Sequence, residues 1–235
     1  METNLHRQLK KHFAPRNAQT EVKFGRFRID IVSGAKLIEV QLSTLAAIRD
    51  KIRQLVEGQT VEVIKPLIRR KLVITLDHED GAELRRRWSP KSENLIDIFN
   101  ELVHFVAIFP HPNLTLRVPL ITIEEYRVQN EKNRFRRRNY KIIDQQLATV
   151  DQSFVLKSKS DLATFVPLDL PEPFDTAELA EGLGCPRSIA QRVAYCLRNA
   201  NVLAQHGKRK NSVLYVKSYK RRSRNNFLSD VIHSN

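Results

Sequence analysis

The chain has 235 residues, of which 41% are hydrophobic, and a formal net charge of +14 from 40 Lys and Arg against 26 Asp and Glu. That length suffices for one or two domains with a buried core. The ordinary apolar content excludes wholesale disorder, and the charge points to a polyanionic partner. Cys185 and Cys196 are too few for a disulfide scaffold and too far apart for a CxxC metal clip. The longest apolar run, residues 102–109, contains His104 and is too short to span a bilayer. No signal-peptide pattern opens the chain, so a cytoplasmic, nucleoid-associated location without a membrane partner is expected.

A first helix carries Leu5, Leu9 and Phe13 on one side. Alternating and apolar runs bounded by glycine then predict strands over residues 20–24, 27–32 and 36–41. Gly34-Ala35 and Gly25-Arg26 suit two-residue type II′ turns, which take glycine first. Those turns pair Ser33 with Lys36 and Phe24 with Phe27, and so set Asp30 opposite both Glu39 and Glu21. Opposed side chains lie about 5 Å apart, and like charges at that distance repel by on the order of 3 kcal/mol at an effective dielectric near 20. An oxygen cluster of this kind suits a hard divalent cation. Solvent-facing strand residues are the alternative, because a one-residue slip moves a carboxylate to the other face. Ser43 or Thr44 caps a further helix with Leu45, Ile48, Ile52, Leu55 and Val56 on its apolar face. Gly58 ends it, and a strand over residues 61–68 follows.

The Asp30, Glu39-Val40-Gln41 spacing within an α-β-β-β-α-β order resembles the PD-(D/E)xK, or restriction-endonuclease-like, nuclease superfamily over about the first 80 residues. The resemblance implies an α/β (α+β) core and a metal-dependent phosphodiester hydrolase. Asp30 and Glu39 would be the ligands of Mg²⁺ (or Mn²⁺), with Glu21 a further ligand or base and Glu2 on the first helix a weaker one. Ile29 stands where proline often precedes the aspartate. Gln41 stands where the family has a lysine that orients the attacking water. Some members resemble this chain in carrying glutamine there; in others the lysine has moved to the next helix, where Lys51 is one candidate and Arg49 and Arg53 are others. Arg26 and Arg28, beside the carboxylate row, are candidates for phosphate contact.

A strand near 71–76 precedes a charged loop over 77–92 that holds Arg85, Arg86 and Arg87 beside Trp88. A helix over 93–109 and one or two strands over 113–126 complete a first domain of residues 1–126. Residues 127–141 carry seven basic side chains, Arg136, Arg137 and Arg138 among them, against Glu131 alone, with Phe135 and Tyr140 interleaved. Such a run is either a solvated linker or a surface that tracks a phosphate backbone. The bridging segment extends to residue 170, with residues 142–165 read as helix or strand.

Asp175 or Thr176 caps a short helix that ends near Gly182, Gly184 turns the chain, and Pro186 opens a second helix to Asn199. A hairpin of residues 202–205 and 213–216 flanks a basic turn, 206–211. The segment FDTAELAEGLGCPRSIAQRVAYCL with this hairpin is similar to a winged helix-turn-helix domain, expected over residues 171–220. That resemblance implies a helix in the major groove and a wing on the backbone. Arg187, Ser188, Gln191 and Arg192 would face DNA, with Lys208, Arg209 and Lys210 on the wing. Residues 221–235 form a basic tail. DNA is therefore the expected partner, with RNA an alternative and a homodimer suited to cutting both strands. A DNA-binding regulator without chemistry is the rival class. The absence of a P-loop glycine pattern argues against ATP-driven translocation.

Overall fold

The computed structural model describes residues 2–129 and 140–219. Helix α1 (Asn4–Phe13) is capped by Thr3, whose hydroxyl accepts from the His6 N–H at 3.3 Å. Glu2 therefore lies just before the helix rather than on it. Strands β1 (Gln19–Phe24), β2 (Phe27–Ser33) and β3 (Lys36–Val40) form an antiparallel meander. Its registers, Phe24↔Phe27 and Ser33↔Lys36, are those the turn chemistry predicts. Gly25 and Gly34 take φ of +57° and +56°, as the first position of a type II′ turn requires. Partners Thr20↔Ile31 and Val22↔Ile29 bracket Glu21 and Asp30, and there Glu21 itself takes φ of +57°.

The expected second helix begins as a 3-10 turn, Leu45–Ile48, capped by the Thr44 hydroxyl, and continues as α2 (Arg49–Leu55). The single strand expected over 61–68 is two, β4 (Thr60–Ile64) and β5 (Leu67–Leu76), broken at Pro66, which has no N–H for a ladder. The expected loop over 77–92 contains β6 (Glu83–Trp88), antiparallel to β5 and exposed at all six positions. Without a buried face it carries no alternation to read. The helix expected over 93–109 shrinks to a 3-10 turn, Leu95–Ile98, and α3 (Phe99–Leu102). Aromatic and β-branched residues crowd that segment and lose side-chain freedom in a helix.

Strand β7 (Leu114–Gln129) is continuous, and β8 (Tyr140–Leu156) pairs with it. The sheet runs β1-β2-β3-β4-β7-β5-β6, with β5 parallel to β7. Leu5 and Leu9 of α1 bury against Ile31, Ile38, Val40, Ile64, Ile121 and Ile123, which fixes the helix over the meander. No helix among the described residues is long and apolar enough to cross a membrane.

Two compact units divide the chain. One comprises Met1–Leu42, Ile64–Asn94 and Arg117–Phe154; the other comprises Ser43–Val63, Leu95–Leu116 and Val155–Asn235. The units thus interleave along the sequence, and α2 and α3 group with the C-terminal helices. In the second unit α4 (Lys159–Ala163) starts on a Ser158–Asp161 capping box, within the segment read only as helix or strand. Helix α5 (Thr176–Leu183) starts on another, Asp175–Glu178. Gly184, at φ +59°, ends α5 while the Cys185 N–H reaches back to the Ala180 carbonyl. Pro186 occupies the cap position, and α6 (Arg187–Asn199) buries Ile189, Val193, Cys196 and Leu197. Strands β9 (Leu203–Arg209) and β10 (Ser212–Lys217) meet through a two-residue turn with Lys210 at φ +53°, tighter than the six-residue turn expected. Phe174 bridges Tyr215 as a one-residue strand beside the hairpin.

Candidate functional site

Leu5 and Leu9 point α1 at the core, so the neighbouring stripe, His6 and Lys10, comes down over the strand carboxylates. The Lys10 ammonium pairs with Glu21, lies 2.5 Å from Glu2 Oε1 and stands 3.9 Å from Asp30 Oδ1. His6 Nε2 lies 2.8 Å from the Val40 carbonyl oxygen and 3.4 Å from Asp30 Oδ2. That same Asp30 oxygen accepts from the Val40 N–H at 2.8 Å. Arg28 Nε meets the other oxygen of Glu21 at 2.5 Å. One ammonium therefore gathers Glu2, Glu21 and Asp30. Glu39, 6% exposed, sits one residue before the Val40 that binds Asp30. Gln41 follows β3, and its N–H donates to the Ile64 carbonyl at 2.8 Å. Lys51 is half-buried on α2. Among the described residues, no group of three or more His, Cys, Asp and Glu side chains is arranged to hold a metal ion.

The charges in this cluster support one another. Burial opposes ionisation of Asp30, but the His6 ring, the Val40 N–H and the Lys10 charge together hold its carboxyl below the usual range. Asp30 in turn raises His6 above an ordinary imidazole, against the effect of burial. Burial works against the Lys10 charge, yet bonds to Glu2 and Glu21 raise its pKa, and the Lys10 bond lowers that of Glu2. His6 and Lys10 were not singled out in the sequence. The signal that could have found them is spacing: His6 and Lys10 are four residues apart, which is one helix face, and Glu2 precedes the helix at the same interval.

A second buried carboxylate, Glu125 of β7, is 1% exposed and ringed by donors. Lys71 reaches it at 3.1 Å, Gln145 Nε2 at 2.6 Å and Arg127 Nε at 2.6 Å. Its charge is fully compensated, so it reads as a structural ion cluster.

The remaining predicted contacts are scattered in kind. Arg26 lies over the Phe27 ring, 5.0 Å from its centroid. Arg136, Arg137 and Arg138 lie outside the described residues, as does the tail from residue 220. In the second unit Arg187 reaches the Thr176 hydroxyl at 3.4 Å, and Arg192 donates to Asn100 Oδ1 at 2.7 Å. Ser188, Gln191, Arg192 and Tyr195 line an open groove of about 460 Å³ with Val103. Gln191 and Arg187 also line a 220 Å³ cleft against the hairpin residues Asn211 and Ser212. On the hairpin, Lys208 and Lys210 are exposed, whereas Arg209 is tied to Glu178 at 2.8 Å.

Residues 3–157 match a family described as a domain of unknown function, DUF8091. The chain belongs to that family. The DUF8091 match runs from the α1 cap through β8, so His6, Lys10, Glu21, Asp30, Glu39 and Gln41 all fall inside it. The α5–α6 pair and the hairpin lie beyond its end. A relative described as an uncharacterized protein of Treponema pallidum (strain Nichols) is 34% identical over 218 residues, covering 92% of this chain and 85% of the relative. That likeness therefore extends past the DUF8091 domain into the C-terminal helices. No solved structure matches the chain.

Proposed function

We propose that this chain is a metal-dependent DNA endonuclease, built on a restriction-endonuclease-like core and directed to DNA by a winged helix. The observation that carries the reading is the adjacency β1-β2-β3-β4 in the order α1-β1-β2-β3-α2-β4, with Asp30 on β2 and Glu39 on the neighbouring β3. The winged-helix part is supported by the sequence of α4, the Phe174 bridge, α5, α6 and the β9–β10 hairpin. That is a helix, a strand, two helices and a two-stranded wing.

The donor chemistry fits a hard divalent cation. A cation of this kind takes carboxylate oxygens, and Asp30 and Glu39 would hold Mg²⁺ or Mn²⁺, while Glu2 and Glu21 stand with Asp30 around the Lys10 ammonium. Such an ion, when bound, polarises the scissile phosphate and lowers the pKa of a water. The protein's own residues supply the remainder. His6 fixes the orientation of the Asp30 carboxylate through Oδ2. Lys10 brings the positive charge that a lysine at position 41 would have brought, and it reaches the site from the helix instead of the strand. The Gln41 amide donates to or accepts from the attacking water without changing its charge.

A second reading, a DNA-binding regulator without chemistry, is favoured by the same cluster, since Lys10, Arg28 and His6 together offset the Glu2, Glu21 and Asp30 carboxylates. The deciding experiment incubates the protein with supercoiled, linear, branched and single-stranded DNA, and with RNA, with and without Mg²⁺ or Mn²⁺. Metal-dependent cutting of DNA is expected. Asp30→Ala and Glu39→Ala should each abolish it while leaving DNA affinity nearly intact, because each removes a ligand and also a charge that repels phosphate. Gln41→Ala should be milder. A wild-type protein that cuts nothing with either metal selects the regulator, and cutting confined to RNA selects an RNA-directed enzyme.

A further inference from the structure

Strand β6 is the last strand of its sheet, and every one of its six side chains is exposed. Its sequence, ELRRRW, therefore lays out a two-faced rim. Alternation puts Arg85 and Arg87 on one face and Arg86 and Trp88 on the other. Arg86 closes a bidentate pair with Glu83 at 3.0 and 2.7 Å, which removes the strand's one negative charge. Trp88 is 48% exposed, and the Arg70 guanidinium from β5 lies 4.1 Å from its ring centroid. That contact braces the indole while leaving nearly half of the side chain open. Leu84, 63% exposed, adds apolar surface on the same strand.

Charge on an edge strand deters pairing with another strand. Such a guard needs charge alone, and it does not account for a braced, half-open indole. An aromatic platform among arginines is what unpaired bases and their phosphates require. Stacking takes any base, and guanidinium groups follow the backbone. Among the described residues β6 has no neighbour on its outer edge, and its six side chains are exposed, so a chain lying along the rim meets both rows. A base within duplex DNA is stacked on both sides and cannot use the platform.

We propose that the β5–β6 rim is a single-stranded nucleic-acid site, with Trp88 stacking one base and Arg85 and Arg87 contacting the flanking phosphates. The site lies outside the carboxylate cluster and concerns binding, so it stands whether or not the chain cuts. It gives the molecule a place for an overhang, a bubble or a branch.

Trp88 is the one tryptophan of the chain, so its emission reports the site directly. The full chain is titrated in chelator with a labelled oligothymidylate of about 15 nucleotides, near the upper site size of single-strand-binding folds. A blunt duplex of equal length is the comparison, and anisotropy measures binding in parallel. The oligothymidylate should quench Trp88, and the duplex should bind without quenching. Trp88→Ala should weaken oligothymidylate binding roughly ten-fold, as loss of one stacked base does. Arg85→Gln with Arg87→Gln should flatten log affinity against log salt by about 1.4, at 0.7 per single-strand phosphate. All three side chains are exposed, so matching far-UV spectra check that the variants fold. Absence of oligothymidylate binding, binding that leaves Trp88 emission unchanged, equal quenching by duplex, or variants that bind like wild type would each overturn the proposal. Absence of metal-dependent cutting in the separate nuclease assay bears on none of these readouts.

Discussion

The carboxylate of Asp30 is held by a backbone N–H, an imidazole and an ammonium at once, and that grip sets how the protein responds to pH. The His6 pKa is raised in the folded state, so its contribution to stability is full below about 6.5 and is lost as pH rises through the higher folded value. The Asp30 pKa is lowered, so its contribution holds above about 4 and is lost as pH falls through the folded value. The pair therefore stabilises most between those limits. The urea-midpoint gap between wild type and His6→Gln should shrink as pH rises from about 5.5 to 8.5. An unchanged gap would mean that His6 acts by packing alone. At the other cluster, Glu125→Ala leaves Arg127 and Lys71 facing each other without their carboxylate. Breaking a buried ion cluster of this kind should cost about 3 kcal/mol in urea unfolding, the low end for buried pairs because Lys71 keeps some solvent.

The termini of α5 carry two separable contributions. Asp175→Ala removes the acceptor for the Ala177 and Glu178 N–H groups and should cost about 1 kcal/mol. Gly184→Val forces a β-branched residue to φ +59° and should cost about 1–2 kcal/mol or more in the same thermal or urea assay. Elements with local instructions of this kind were legible in the sequence. The turn glycines at 25 and 34 fixed both hairpin registers, which set Ile31 opposite Thr20 on one side and Ile38 on the other. The capping residues marked α5, and Pro186 marked the start of α6. What stayed hidden depended on partners distant in the chain. Strand β6 has no buried face, so no alternation betrays it. The α1 stripe became meaningful only once Leu5 and Leu9 had docked on Ile31 and Val40. Pro66 interrupts an apolar run that reads as one strand.

At the scale of the whole molecule, charge governs affinity. The stretch from residue 207 to 224 holds eight basic residues and no acids. Its described part divides by role, since Lys208 and Lys210 are exposed while Arg209 bonds Glu178 and the Pro173 carbonyl. On duplex DNA each phosphate contact contributes about 0.9 to the salt slope, so Lys208→Gln with Lys210→Gln should flatten it by about 1.8. Arg209→Gln should loosen the hairpin from α5 as well, and so lower the unfolding temperature. An unaltered slope in the double variant would make the hairpin a protein-docking element.

Strand β7 lies between β4 and β5, although it is made after both. Its ladder joins the Lys65 N–H to the Arg117 carbonyl on one side and Ile68 to Ile121 on the other. During synthesis, therefore, β4 and β5 leave the ribosome with facing edges that nothing yet fills. Roughly 50 residues separate the end of β5 from the end of β7, an interval of about 3–10 s at ordinary elongation rates. Through that interval two apolar strands, TVEVI and LIRRKLVITL, present open edges to other nascent chains. A chain stopped at residue 113 should collect in the insoluble fraction, and one extended past residue 156 should not. Production of the protein should accordingly depend on holdase chaperones more than its final stability suggests.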